Sequence, residues 1–503
     1  MNKFYEQKKL FITICILVII GLGIFLYCYF YYRGNNEKIV NIIEFSEKYK
    51  NIKNIQVIDG KLIFQARNQD NNSIIYFDGR EYGANYSNTG NFIYNVIGDD
   101  ITYIAYNYDE ESQGATYLNG TSYVIHGEKV IYMDNKDYYI DPHSPLIDLN
   151  EKIAFQVYNR ETTRSPERVV HKDIVIYNGQ EYGLKYDSAF SPFVIDNKLG
   201  YQAKNNGKVF LVVNGQEYGL KYDSASSPFE FKNKLGYQAK NNGKVFLVVN
   251  GQEYGLKYDS ASSPFEFKNK LGYIATNDKK QFLVINGKIV TEEYDNISCV
   301  KIINNKLAYA GHNKIDNYWN SFFVYDNEKI ETNISTHTEA KKVDSRIFEV
   351  NKKPVFVSGD EFNPSIFYNN KEWKPNHRKS HEDFTKEYYE IKSIGGKLAF
   401  EINYYRHPFL TMDSNTSLGS LVYYNGKEYG TEYDEANSPF EVAGQLGYVA
   451  RNDNKDFLVI NGKIYSPEYL HIKFAQEING KLVYIAKENS SDIYYTIYKI
   501  RVK

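Results

Sequence analysis

Asn197 to Lys232 reads NKLGYQAKNNGKVFLVVNGQEYGLKYDSASSPFEFK, and Asn233 to Lys268 repeats it at all 36 positions. The most apolar stretch, Val245 to Val249, ends in Asn250-Gly251, a pair that tolerates the positive φ of a two-residue hairpin turn. Working outward, this turn pair marks the register of looser copies. It stands at Asp78-Gly79, Asn119-Gly120, Asn178-Gly179, Asn214-Gly215 and Asn286-Gly287. It continues at Asp326-Asn327, Asn369-Asn370, Asn425-Gly426 and Asn461-Gly462. A last partial copy runs from Asn479-Gly480 to Lys503, which makes about eleven units.

Each unit reads as a meander of four strands. In the second identical copy these are Pro228 to Phe231, Leu235 to Ala239, Val245 to Val249 and Gln252 to Tyr258. They are rich in Val, Phe, Tyr and Leu, which suit a pleated, packed surface. A period of 36 to 59 residues with four antiparallel strands implies a β-propeller. A β-helix has shorter rungs, a helical solenoid shows a 3.6 period, and β-sandwich domains need about twice the length. The expected fold is therefore all-β: four-stranded antiparallel blades in one large ring or two tandem propellers, plus one N-terminal transmembrane helix. The exact duplication implies an architecture that tolerates a changed unit number.

The pattern Pro-Phe-x-Phe-x-x-Lys-Leu-Gly-Tyr-x-Ala, then Phe-Leu-Val-Val-Asn-Gly, then Tyr-Asp, resembles the TolB-type, WD-repeat-like propeller repeat of bacterial proteins. The resemblance covers most of 53–503 and is clearest at 191–298 and 421–471. It implies a propeller fold and leaves function open. Lys-Asn-Lys or Asn-Gly-Lys stands where that family has Ser-Pro-Asp-Gly, and no tryptophan-aspartate signature occurs.

The chain has 503 residues, 60 basic and 62 acidic, with a net charge of −2. That balance argues against a nucleic-acid binder and against a disordered acidic scaffold. Leu10 to Tyr32 is a 23-residue run without charge. As a helix it spans about 35 Å, enough for a ~30 Å hydrocarbon core. Lys3, Lys8 and Lys9 precede it, which favours a cytoplasmic N-terminus. The run is longer than a signal peptide's apolar region, and no A-x-A-like site follows. The expected organisation is a cytoplasmic tail (1–9), a signal-anchor helix through the bilayer (10–32), a juxtamembrane segment (33–52) and an extracytoplasmic repeat region (53–503). The last unit lacks a fourth strand. Ile39 to Phe45 could supply it as a latch, or Glu37 to Tyr49 could form a short helix. Cys299 is the one cysteine beyond the membrane segment, read as a small buried apolar residue rather than a reactive thiol.

Tyr186, Tyr222, Tyr258, Tyr294 and Tyr433 share one repeat position, each followed by an aspartate: Asp187, Asp223, Asp259, Asp295 and Asp434. A ring of such pairs could stack sugars or bind cationic peptide groups. The structural alternative packs Tyr between blades and sets Asp on turn amides. Candidate ligand-binding residues are Tyr222, Asp223, Tyr258 and Asp259, with the aromatic-basic cluster Tyr404, Tyr405, Arg406 and His407. Glu181, Glu217, Glu253 and Glu428 read as a solvated face. The inserts Asp141 to Pro145, Arg160 to Arg168 and Asn376 to Thr385 are placed where loops carry specificity. His377 and His381 have an i, i+4 spacing but lack the HExxH order, so no metal site is expected. No catalytic set and no cofactor motif stands out. The expected function is a non-enzymatic scaffold at the cell membrane for a protein or glycan ligand. The alternative is an envelope glycan hydrolase or lyase with carboxylates gathered from several blades.

Overall fold

In a computed structural model the described residues run from 43 to 501, apart from 87, 98, 109–119, 135–137, 141–144, 160–171, 316–317, 338–345, 359–364, 374–383, 407–416 and 489–494. They form strands and turns, with no helix among them. No helix of the described residues is long and apolar enough to cross a membrane. The expected anchor, 10–32, lies outside them.

Eleven meander units follow one another. In the unit of the second identical copy the strands are Ser224–Phe231, Lys234–Asn241, Lys244–Val249 and Gln252–Tyr254. Two-residue turns join the first strand to the second and the third to the fourth. Lys232 and Asn233 have φ of 51° and 56°, and Asn250 and Gly251 have 49° and 81°. Asn and Gly at these sites explain why the turns are tight. The first strand starts earlier than the sequence suggested because Ser227, at φ 50°, forms a bulge that lets Ser224–Ser226 pair as well. The fourth strand is shorter. Gly255 turns the chain at φ 84°, and the Tyr258 amide donates to the Gly255 carbonyl at 3.0 Å. One register mark moves. Gly120 opens a third strand, paired with Tyr108, and the hairpin turn of that unit is Gly127-Glu128 instead.

The units Ser188–Tyr218, Ser224–Tyr254 and Ser260–Ile289 join into one sheet through single parallel bridges, Val209 to Ser224 and Val245 to Ser260. The first and last units share one strand. Over Ile43–Ile58 its front half pairs with Tyr495–Arg501 and its rear half with Lys61–Arg67. A strand, not a helix, therefore occupies Ile43–Tyr49.

The core lies between units, not within them. Each apolar cluster takes side chains from two successive units, as Leu247 and Val249 do with Tyr258, Tyr273 and Phe282. One such cluster joins the ends, uniting Tyr49, Phe64 and Tyr76 with Ile485 and Ile497. Four first strands set a phenylalanine over a glycine. A Cβ on Gly236 would come within 2.4 Å of the Phe229 ring, so only glycine fits beneath it. Where lysine replaces that phenylalanine, alanine stands opposite, and the ammonium reaches the next unit. Lys301 donates to the Ile347 carbonyl at 2.6 Å and Lys392 to that of Pro439 at 2.9 Å. Cys299 sits half-buried on the repeated bulge at φ 55° and packs against the cluster of Ile303, Ala308 and Phe323.

Strand direction alternates, so each sheet has two rims. On the first rim the connections within units are two-residue turns. The longer interruptions, such as 109–119, 160–171, 374–383 and 407–416, leave strand ends on the second rim.

Candidate functional site

The Tyr-Asp pairs sit on the connections that enter each unit. Tyr222 and Tyr258 are only 4% and 6% exposed and meet Phe246 and Phe282 edge-on, at 5.3 and 5.1 Å. Asp223 Oδ2 accepts the Asn242 amide at 2.8 Å, and Asp259 Oδ2 accepts that of Asp278 at 2.9 Å. Asp187, Asp295 and Asp434 do the same 19 residues ahead. These side chains are engaged in packing and in turn capping.

Glu217 and Glu253 form more than a solvated face. Tyr186 donates its hydroxyl to Glu217 at 2.6 Å, and Lys185 lies 2.9 Å from the same oxygen. Tyr222 and Lys221 hold Glu253 likewise, at 2.5 and 2.8 Å. Hydrogen bonds from Lys185 and Tyr186 hold the Glu217 carboxyl below its usual range, and Lys221 and Tyr222 do so for Glu253. The next copy departs from this pattern. Ile289 stands 31 residues after Tyr258, where the acid belongs, and the buried Tyr258 hydroxyl has no hydrogen-bond partner among the described residues. Ile289→Glu is expected to raise stability by about 1–2 kcal/mol, read as a higher thermal midpoint, because it gives that hydroxyl an acceptor.

Of the other candidates, Tyr404 is half-buried against the cluster of Phe400 and Leu421. Tyr405 and Arg406 pair with Thr385 and Phe384 in the ladder. His407, His377, His381 and Arg160 to Arg168 lie outside the described residues, as do most of the other two inserts.

Three described histidines are tied down, among them His126, whose Nδ1 lies 2.9 Å from the Thr102 hydroxyl. Asp456, 2% exposed, accepts from His471 Nδ1 at 2.9 Å, Arg451 Nε at 2.6 Å and the Ile472 amide at 2.7 Å. Burial works against its carboxylate, but these bonds prevail and hold its pKa below the usual range. His312 is buried between Ser298 and Ser321, at 2.9 and 2.8 Å, and burial pushes its pKa down to about 4. The unfolded chain then binds a proton that the fold refuses between about pH 4 and 6.5. The contribution is complete above about pH 6.5 and falls by about 3 kcal/mol as pH drops to 4. A pH series of melts should show that slope in the parent chain and lose it in His312→Asn. Among the described residues no group of three or more His, Cys, Asp or Glu is placed to hold a metal ion.

Two open depressions lie on the first rim among the described residues. One, of about 490 Å³, lies between the two identical copies and is lined by Lys198, Asn214, Gln216, Tyr218, Lys234 and Tyr237. Its amides, ammonium groups and phenol edges suit hydroxyl-rich or peptide ligands. The other, of about 540 Å³, spans the first strands of three successive units and is lined by Lys392, Glu441, Gln476 and Glu477. Glu477 there accepts the Ala443 amide of the preceding unit. Asn214 stood out in the sequence only as a turn residue, and none of the others was singled out as a candidate ligand-binding residue. The signal available was their place beside the turn pairs, which read as turn chemistry alone.

A scan against protein-family models gave no match, and a search of curated proteins gave none either. Among solved structures the chain is similar to the β-propeller domain of the Trilobed protease from Pyrococcus furiosus, at 14% identity over 55% of this chain and 92% of that one, with a TM-score of 0.24. It is similar to the WD40 domain of SCAP from fission yeast, at 8% identity over 93% and 99%, with a TM-score of 0.24. A prolyl endopeptidase aligns at 10% identity over 74% of this chain and 56% of that one, with a TM-score of 0.33. At such scores these likenesses carry no argument about function. By their own topology the described residues form an all-β repeat of β-propeller type.

Proposed function

We propose that the chain is a membrane-anchored, extracytoplasmic β-propeller, akin to the TolB-type repeat proteins, that acts as a non-enzymatic scaffold for a protein or glycan ligand. In this reading residues 10–32 cross the bilayer, and the eleven units form a single ring that the strand Ile43–Ile58 closes. The observation that carries it is a division of labour. The repeated Tyr, Asp and Glu side chains link the structure together, while the groove between the identical copies offers polar and aromatic groups to a ligand. The test uses the full chain in lipid nanodiscs against arrayed glycans and envelope proteins. Gln216→Ala with Lys234→Ala, both exposed, should weaken capture about tenfold and leave the melt unchanged. Equal capture by parent and variant, or turnover of an arrayed glycan, would overturn the proposal.

A further inference from the structure

At the outer edge of the Ser260–Ile289 unit a recognition geometry used twice elsewhere is left without its acid. Lys185 and Lys221 each lie over a tyrosine ring, at 4.7 and 4.8 Å, and each pairs with the glutamate that the same tyrosine hydroxyl touches. Lys257 lies over Tyr258 at 4.9 Å in the same way. Its carboxylate is missing because Ile289 takes the place of Glu253. Two polar groups are thus set for one carboxylate: an exposed ammonium and a hydroxyl, buried with its residue, that bonds to nothing among the described residues. Around them Leu256, Ile289 and Val290 are 46%, 52% and 41% exposed.

We propose that this edge docks a partner protein through a glutamate flanked by apolar side chains. The incoming carboxylate takes the position that Glu217 and Glu253 hold in the two preceding units. It pairs with Lys257 and, once the half-exposed Ile289 rotates aside, accepts from the Tyr258 hydroxyl. Leu256 and Val290 cover the neighbouring apolar side chains. A free anion would gain only the polar half of this surface, which is why a protein segment is the occupant. The proposal is independent of the groove on the first rim, so either can fail alone.

The test titrates the full chain in nanodiscs with acetyl-Leu-Glu-Leu-amide and with its glutamine counterpart, followed by calorimetry. The glutamate peptide should bind at least about tenfold more tightly than the glutamine one, as a charge-assisted pair requires. Lys257→Met should remove that preference. Ile289→Glu should melt higher and lose the peptide, because the chain then supplies its own acid. Equal binding of the two peptides, no binding of either, or undiminished binding by Ile289→Glu would overturn the proposal.

Discussion

A chain that begins at Asn51 is expected to lose its single cooperative melt and to associate, whereas one that begins at Ile43 keeps both its melt and the parent's association state. The deleted stretch is the fourth strand of the last unit. Ile43 pairs with Ile500 and Tyr49 with Tyr495, and the same strand continues into the first unit. Without it, Tyr495–Arg501 becomes an open edge, a template for pairing with another chain. The cluster that joins the ends loses its anchor as well. Tyr49 is 2% exposed and meets Phe64 and Tyr76 edge-on at 5.4 and 5.7 Å. Truncating one large buried aromatic costs about 3–5 kcal/mol, and in a chain of stacked repeats an interface is lost with it. Tyr49→Ala in the intact chain isolates the packing share, and it should keep a single melt with a midpoint below that of the start at 43. Size-exclusion profiles and melts that match for the starts at 43 and 51 would refute the latch.

The parts of this architecture that follow local rules were legible in the sequence. Asn-Gly and Lys-Asn pairs specify turns through their tolerance of positive φ, and alternation between them specifies strands, so the unit and its number could be read. The aspartate caps were legible because Asp223 acts on a turn at a fixed distance along the same repeat. Three features were not. Asn119-Gly120 carries the turn signal, yet Gly120 opens a strand, because the dipeptide says nothing about which end of a strand it marks. Glu253 looked solvated because its partners, Lys221 and Tyr222, lie about 31 residues earlier and meet it only through the fold. The grooves need two units side by side, so no single unit reveals them. The substitution of Ile289 for the acid was visible in the alignment of copies, but its meaning depended on knowing where the Tyr258 hydroxyl lies.

Gly255→Val is expected to cost about 3–5 kcal/mol, read as a lower thermal midpoint. Two costs combine. At φ 84° a β-branched residue is strained, and a Cβ there would lie 2.5 Å from the Cβ of Ala261, which is fully buried. Gly251 separates them. Its φ of 81° is nearly the same, but a Cβ added there meets nothing within 4 Å. Gly251→Ala should therefore cost only the backbone share, about 1 kcal/mol, and Gly255→Ala about 1–3 kcal/mol more. Ala261→Gly should recover part of that difference when combined with Gly255→Ala, a coupling that a double-mutant cycle of melts reads directly. Equal costs at 251 and 255 would show that the connection has room to move. The point bears on function, because Gly255 sets the path of Leu256, Lys257 and Tyr258. A connection displaced by the clash would carry the lysine and the phenol away from Ile289. Peptide binding at that edge should then fall in Gly255→Ala and return with Ala261→Gly, in step with stability.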